Sequence, residues 1–91
     1  MKLEEIIRNN EGTIIDVRTP AEYQGGHAAH SINIPLHEIS KRIEEFQKMK
    51  TPLVLCCASG GRSAQAVYLL SNQKITCIDA GSWINIHSLQ S

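Results

Sequence analysis

The stretch Leu53-Val-Leu-Cys-Cys-Ala-Ser-Gly-Gly-Arg-Ser-Ala64 decides how this chain is read. Leu53 to Cys56 is a short apolar run of the kind that forms a buried strand, and it ends in a cysteine pair. Small residues follow, and Arg62-Ser63 then opens a helical pattern in which Ala64, Val67, Tyr68 and Leu70 recur. Strand, tight loop and helix start therefore meet at a thiol. The first N–H groups of a helix lack intrahelical partners and carry partial positive charge, so anions, thiolates among them, are favoured there. A cysteine so placed, with an arginine nearby, is expected to ionise early and act as a nucleophile. The alternative is a strand cysteine that packs as a small hydrophobe before an ordinary turn. The spacing argues against that alternative.

Outward from this stretch, the chain alternates between two periodicities. Leu3, Ile6 and Ile7 mark a short amphipathic helix over residues 2–8, stopped by Asn9-Asn-Glu-Gly12. Residues 13–17, Thr-Ile-Ile-Asp-Val, read as a buried parallel strand. Thr19-Pro-Ala-Glu22 spells a capping box with proline at the first helical position, and Gly25-Gly26 ends that helix early. Ser31 to Ile34 is a second strand closed by Pro35. Leu36, Ile39, Ile43 and Phe46 lie on one stripe of a single helix reaching Met49, which Thr51-Pro52 breaks. After the central stretch, Ile75 to Ile78 reads as a strand, Asp79-Ala-Gly81 as a turn, and residues 83–89 as a weakly marked last segment.

Strands alternating with helices imply crossover connections, hence an α/β fold with a parallel sheet and helices on both faces. In such sheets the site lies beyond the carboxyl ends of the strands. Asp16-Val-Arg18, Asn33-Ile-Pro35 and the Cys57 loop all converge on that edge.

Composition narrows the classes. The 91 residues make one domain over 1–91, with 42% apolar and 20% charged residues. Nine basic residues balance nine acidic ones, so nothing points to nucleic acid or to an anionic membrane surface. No apolar run approaches the roughly 18 residues of a membrane span, and no basic-then-apolar leader opens the chain, so the cytoplasm is the expected location. Three cysteines, two of them adjacent, give neither a disulfide framework nor a metal-binding spacing and read as reduced thiols. The four histidines are scattered without a cysteine partner, so neither a metal nor another cofactor is expected.

The loop admits two registers. From Cys56 the spacing is Cys-x5-Arg-Ser, that of cysteine-dependent phosphatases, and a larger loop suits a phosphate. From Cys57 it is Cys-Ala-Ser-Gly-Gly-Arg, a tighter loop suited to a single sulfur atom. Phosphatase signatures place His before the nucleophile and Gly three positions after; relative to Cys56 those places hold Leu55 and Ser59, whereas relative to Cys57 the glycine is right. Cys57 is therefore favoured.

At this point the chain resembles the rhodanese-like sulfurtransferases over nearly its whole length. Asp16-Val-Arg18, Glu22-Tyr23, Gly26-His27, Asn33-Ile-Pro35, the Cys57 loop and the late Gly81 and Trp83 fall where that family's motifs fall. The chain departs from the family pattern at Ala28, His30 and Ser31, and has Gly81-Ser82 for the usual late glycine pair. The resemblance implies a rhodanese-like fold with a five-stranded parallel sheet. It also implies that Cys57 takes a sulfane sulfur from a small anionic donor such as thiosulfate and passes it, through a persulfide, to cyanide or to a thiol or protein acceptor. Two other readings stand beside this one: a phosphatase or arsenate-handling enzyme using Cys56, and a non-turnover sulfur carrier or interaction module.

Within that reading Cys57 is the nucleophile, and the residues of its loop bind the donor. Ala58, Ser59, Gly60 and Gly61 are small because the backbone is the binding surface. Arg62 either grips the donor at the pocket mouth or pairs with a carboxylate such as Glu22. Arg18 has the same two readings. Ser63 is a helix-cap hydroxyl, and Asp16 is expected to accept from loop N–H groups, with Glu22 and His27 as further structural support. Strand alternation aims Cys56 away from Cys57 into the core, where Cys77 also belongs. Tyr23 and Trp83 read as core or pocket-wall aromatics.

Overall fold

Residues 53–57 alternate between two cores and set the layering. The computed structural model describes residues 2–91. Strands β1 (Thr13–Asp16), β2 (Ile32–Asn33), β3 (Leu53–Cys57) and β4 (Cys77–Ser82) form one sheet in the order β2-β1-β3-β4, every pair parallel. That is four strands among the described residues, where the family resemblance implies five. β3 is central and buried throughout, which is why it is apolar without a break.

Side chains leave a strand on alternate faces, so consecutive residues of β1 and β3 enter different cores. One core holds Ile15, Val17, Leu53, Leu55 and Cys57. It is covered by Ile39 of a 3-10 helix (Leu36–Lys41), Phe46 of the following α-helix (Ile43–Gln47), and Ala66 and Leu70 of the long helix after the Cys57 loop (Gly61–Ser71). The other core holds Ile14, Val54 and Cys56, covered by Ile6 and Ile7 of the first helix (Leu3–Arg8) and Ile86 of the last (Trp83–Gln90). In chain order these helices are α1 (Leu3–Arg8), α2 (Pro20–Gln24), α3 (Ile43–Gln47), α4 (Gly61–Ser71) and α5 (Trp83–Gln90). None of them is long and apolar enough to cross a membrane, among the described residues.

Two segments depart from the sequence expectation. The single helix expected over 36–49 is broken at Arg42, whose φ of −123° ends the 3-10 turn before α3 begins. Ile39 and Phe46 are buried all the same, because the apolar stripe is satisfied by either geometry. The strand expected over 75–78 begins and ends later, at Cys77 and Ser82. Its pairing with β3 slips by one residue: Leu55 faces Asp79 and Cys56 faces Gly81. An extra residue of this kind bends a strand and re-aims its side chains. Gly81 takes the φ of +73° that the irregularity requires.

Candidate active site

Cys57 ends β3 at the carboxyl edge of the sheet, and α4 begins four residues later. The turn between them is made possible by Gly60, which caps α4 with a φ of +108°, a conformation that side chains rarely adopt. This turn aims backbone N–H groups at the sulfur. The Gly60 N–H donates to Cys57 Sγ at 3.0 Å and the Ser63 N–H at 3.4 Å, while the Ser63 hydroxyl oxygen lies 3.5 Å away. Burial alone pushes this thiol up. Hydrogen bonding with the Ser63 hydroxyl, and donation from the N–H groups of Ser63, Gly60 and Ser59, outweigh it, and the thiol is held below its ordinary value.

The neighbouring thiols behave oppositely. Cys56 is fully buried on the α1–α5 side, and burial pushes it up to about 12. Cys77, half-buried with its thiol donating to the Ile75 carbonyl, is pushed up by burial to about 11. Adjacent residues thus differ in ionisation because alternation sends only one of them to the helix start.

Both arginines are engaged within the protein. Arg62, on the first turn of α4, makes a two-pronged pair with Glu22, at 2.6 Å from Nη1 to Oε1 and 2.9 Å from Nη2 to Oε2. Glu22 is also the carboxylate of the α2 capping box: Thr19 N–H donates to its Oε1 at 3.1 Å, and the Glu22 N–H donates to Thr19 Oγ1 at 3.3 Å. One side chain therefore ties the start of α2 to the start of α4 across 40 positions of sequence.

Arg18 lies inside the protein, not at the site mouth. Its Nε and Nη2 donate to the Asp16 carboxylate, and Nη2 also reaches the Gly26 carbonyl at 2.7 Å. The Trp83 ring sits 5.0 Å from the guanidinium carbon. Asp16 consequently turns to Arg18, accepting from its N–H as well, and not to the Cys57 loop. His27 stacks on Tyr23 at 3.8 Å between ring centroids and places Nδ1 2.8 Å from the Tyr23 carbonyl, which packs the end of α2. Ala58, Ser59 and Gly61 carry the turn around the sulfur.

Asp79 is the residue that sequence reasoning missed. The sequence shows it only as part of a turn, yet its Oδ1 accepts from the Ser63 hydroxyl at 2.7 Å and from the Gly81 N–H at 2.9 Å. Ser63 is fully buried and is not the helix-cap hydroxyl that the sequence suggests: Gly60 is the N-cap of α4, no side chain caps it, and the Ser63 hydroxyl turns to Asp79 and the Gly60 carbonyl. The partners are 16 residues apart and meet only through the β3–β4 register, so no local signal joins them.

A thiol cradled by N–H groups at the carboxyl edge of a parallel sheet invites comparison with known proteins. The rhodanese-like domain model matches residues 2–88. The chain belongs to the rhodanese-like family. A thiosulfate sulfurtransferase of Escherichia coli, PspE, is 39% identical over 66 residues, which cover 71% of this chain and 64% of that protein. A sulfurtransferase of Allochromatium vinosum is 38% identical over 60 residues, covering 66% of this chain and 55% of that one. The matches thus span between about half and two thirds of these curated relatives. Among solved structures, a rhodanese-related protein of Thermoplasma volcanium superposes with a TM-score of 0.79 at 35% identity, covering 94% of this chain and 83% of its own. The parallel α/β sheet flanked by helices is the fold of this rhodanese-like domain.

The Glu22–Arg62 clamp carries a pH dependence. Arg62, with the Thr19 N–H, holds the Glu22 carboxyl well below its ordinary value of 4.5, at about 2. A carboxylate lowered by folding adds stability above its unfolded value and loses it as pH falls through the folded one. Stability is therefore expected to fall between pH 4.5 and about 2 in the wild type, and this limb is expected to flatten in Glu22→Gln. Urea midpoints measured across that range check it. An unchanged acid limb in the variant would show that the clamp contributes nothing.

Proposed function

We propose that the chain is a sulfurtransferase in which Cys57 carries the sulfur as a persulfide between a small anionic donor and a thiophilic acceptor. The observation that carries this reading is the sulfur itself: Cys57 Sγ receives the Gly60 and Ser63 N–H groups at the start of α4 and is held below the ordinary thiol range. Family membership, and relatives named as sulfurtransferases, support the same class.

With thiosulfate, the Cys57 thiolate attacks the outer sulfur. A new S–S bond forms, the donor's S–S bond breaks, and its electron pair leaves with sulfite. Cyanide then attacks the outer sulfur of the persulfide, leaves as thiocyanate, and returns the electron pair to Cys57. A thiolate acceptor repeats this second step and departs as its own persulfide. No general base is needed, because the nucleophile is an anion before reaction. The backbone of residues 58–62 and the N-terminus of α4 hold the donor's anionic end. Arg62 acts indirectly, by fixing the first turn of α4 through Glu22.

The test is to incubate the protein with thiosulfate and measure its mass, then to add cyanide. The reading expects a gain of one sulfur atom on the peptide holding Cys57, discharged as thiocyanate. Loading without repeated turnover would make the chain a sulfur carrier. No loading from thiosulfate or from a small-molecule persulfide would end the proposal.

A further inference from the structure

Ser63 has one hydroxyl proton and three acceptors around it: Asp79 Oδ1 at 2.7 Å, the Gly60 carbonyl at 3.1 Å and Cys57 Sγ at 3.5 Å. A hydroxyl supports a thiolate only when it donates to it. When Asp79 takes the proton, the Ser63 oxygen shows the sulfur a lone pair, which can accept from S–H but repels S⁻. We propose that Asp79 is a positioning residue that competes with Cys57 for the Ser63 proton, and so sets how far Ser63 supports the thiolate.

The arrangement fits a built device. The β3–β4 register places Asp79 opposite Leu55, on the face that α4 covers, and the slip follows directly after it at Ala80. Asp79 is exposed at its edge, whereas Ser63 and Cys57 are buried, so Ser63 connects a solvated carboxylate to an enclosed sulfur. A carboxylate is the stronger acceptor at the shorter distance, and it draws the proton whenever the sulfur is uncharged. The unloaded thiol and the persulfide, whose inner sulfur bears no charge, both leave Ser63 with Asp79. Only the free thiolate has to win the proton back.

Other groups act on the thiol in ways this competition does not need. Arg62 of α4 is paired with Glu22, and the Asp16–Arg18 pair lies at the end of β1. Burial pushes the Cys56 thiol up to about 12 and the Cys77 thiol up to about 11, away from the range in which Cys57 is followed. Asp79 faces Ser63 and the Gly81 N–H.

The inference rests on Cys57 being the reacting thiol, and its test reads that thiol directly, so a protein inactive in sulfur transfer still decides it. The probe is the ultraviolet absorbance of the thiolate, followed against pH in wild type, Asp79→Asn, Ser63→Ala and the double variant. Asparagine retains an acceptor oxygen for the Gly81 N–H. Asp79→Asn is expected to shift the Cys57 midpoint down by about one pH unit, a tenfold change in thiolate at fixed pH. In the Ser63→Ala background the same substitution is expected to shift nothing. An unmoved midpoint would overturn the proposal, as would an equal shift in both backgrounds, which would mean Asp79 acts by charge through space. Should Asp79→Asn fail to fold, Asp79→Ser replaces it in the same two backgrounds: a downward shift that Ser63→Ala abolishes supports the proposal, and no shift or an equal shift in both overturns it.

Discussion

Cys57→Ser is expected to lower thiocyanate formation from thiosulfate and cyanide by at least about a thousandfold, while Cys56→Ala keeps it within about twofold. The two residues are neighbours of the same type, and the contrast follows from the pleat. Cys57 points to the start of α4, where the N–H groups of Gly60 and Ser63 meet it. Cys56 points into the core with Val54, Ile14 and Ile86, where burial pushes its thiol up to about 12. A serine at position 57 keeps the size and the hydrogen bonds but offers a hydroxyl that stays protonated and is a poor sulfur nucleophile. Alanine at position 56 removes one buried sulfur, a loss of about 1 kcal/mol in stability, with no reacting group touched. The pH profile adds a second readout. Below the Cys57 midpoint the rate should fall about tenfold per pH unit, and the plateau should begin lower than for an ordinary thiol. Loss of activity in Cys56→Ala alone would move the chemistry to the other register and call for a phosphate-ester screen. Equal loss in both would make the effect one of folding, which circular dichroism would reveal.

What could be read from the chain beforehand was whatever is local. The strand, loop and helix around Cys57 lie within twenty residues, and the apolar run, the small loop and the helical spacing each point to one geometry. The Thr19–Glu22 capping box is likewise a four-residue signal, and its two reciprocal bonds are present. Alternation alone was enough to separate Cys56 from Cys57. The misjudged segments are those where one pattern fits two backbones. Ile39, Ile43 and Phe46 suit a continuous helix and equally a 3-10 turn followed by a short helix. The break falls at Arg42, which binds Glu38 on one side and Glu45 on the other and so bridges the two pieces. At the late strand, the apolar run of 75–78 points to a start and an end earlier than Cys77 and Ser82. Asp79, Gly81 and Ser82 look like turn residues, yet they pair with β3. Illegible altogether were contacts made by register: Ser63 with Asp79, and Arg18 under Trp83. Arg18 and Arg62 had two readings each in the sequence, because a guanidinium shows no preference there between a carboxylate of the protein and one of a ligand.

Arg18→Met is expected to be the most destabilising single substitution among those considered, at about 3–5 kcal/mol. Against a total stability of about 5–15 kcal/mol for a domain of this kind, that is a large share. The cause is what the substitution leaves behind. Asp16 has no exposed surface, and its carboxylate is met by Arg18 through Nε at 2.9 and 3.0 Å and Nη2 at 2.7 Å. Without the guanidinium, a negative charge stays in the interior with the Arg18 N–H alone to answer it. The Gly26 carbonyl loses its donor as well, and Trp83 its cation. Methionine replaces most of the lost volume, so cavity formation adds little and the measured loss reports the stranded charge. Urea denaturation gives the size, and a melting temperature more than about 10 °C below wild type should accompany it. The discriminating variant is the double one, Asp16→Asn with Arg18→Met. If the stranded charge is the cause, neutralising Asp16 recovers a large part of the loss, and the double variant is more stable than Arg18→Met alone. If the double variant is no more stable than Arg18→Met, the loss comes from packing, and Arg18 matters through its contact with Trp83. The pair spans β1 to the end of α2 at Gly26, and Asn33 locks the same turn from β2 by donating to the carbonyls of Asp16 and Arg18. Its loss should therefore loosen α2, which carries Glu22, and through Glu22 the Arg62 end of the sulfur site. Activity at temperatures where the variant remains folded should then fall by much less than in Cys57→Ser, because the cradle around the sulfur is built from α4 and its own backbone.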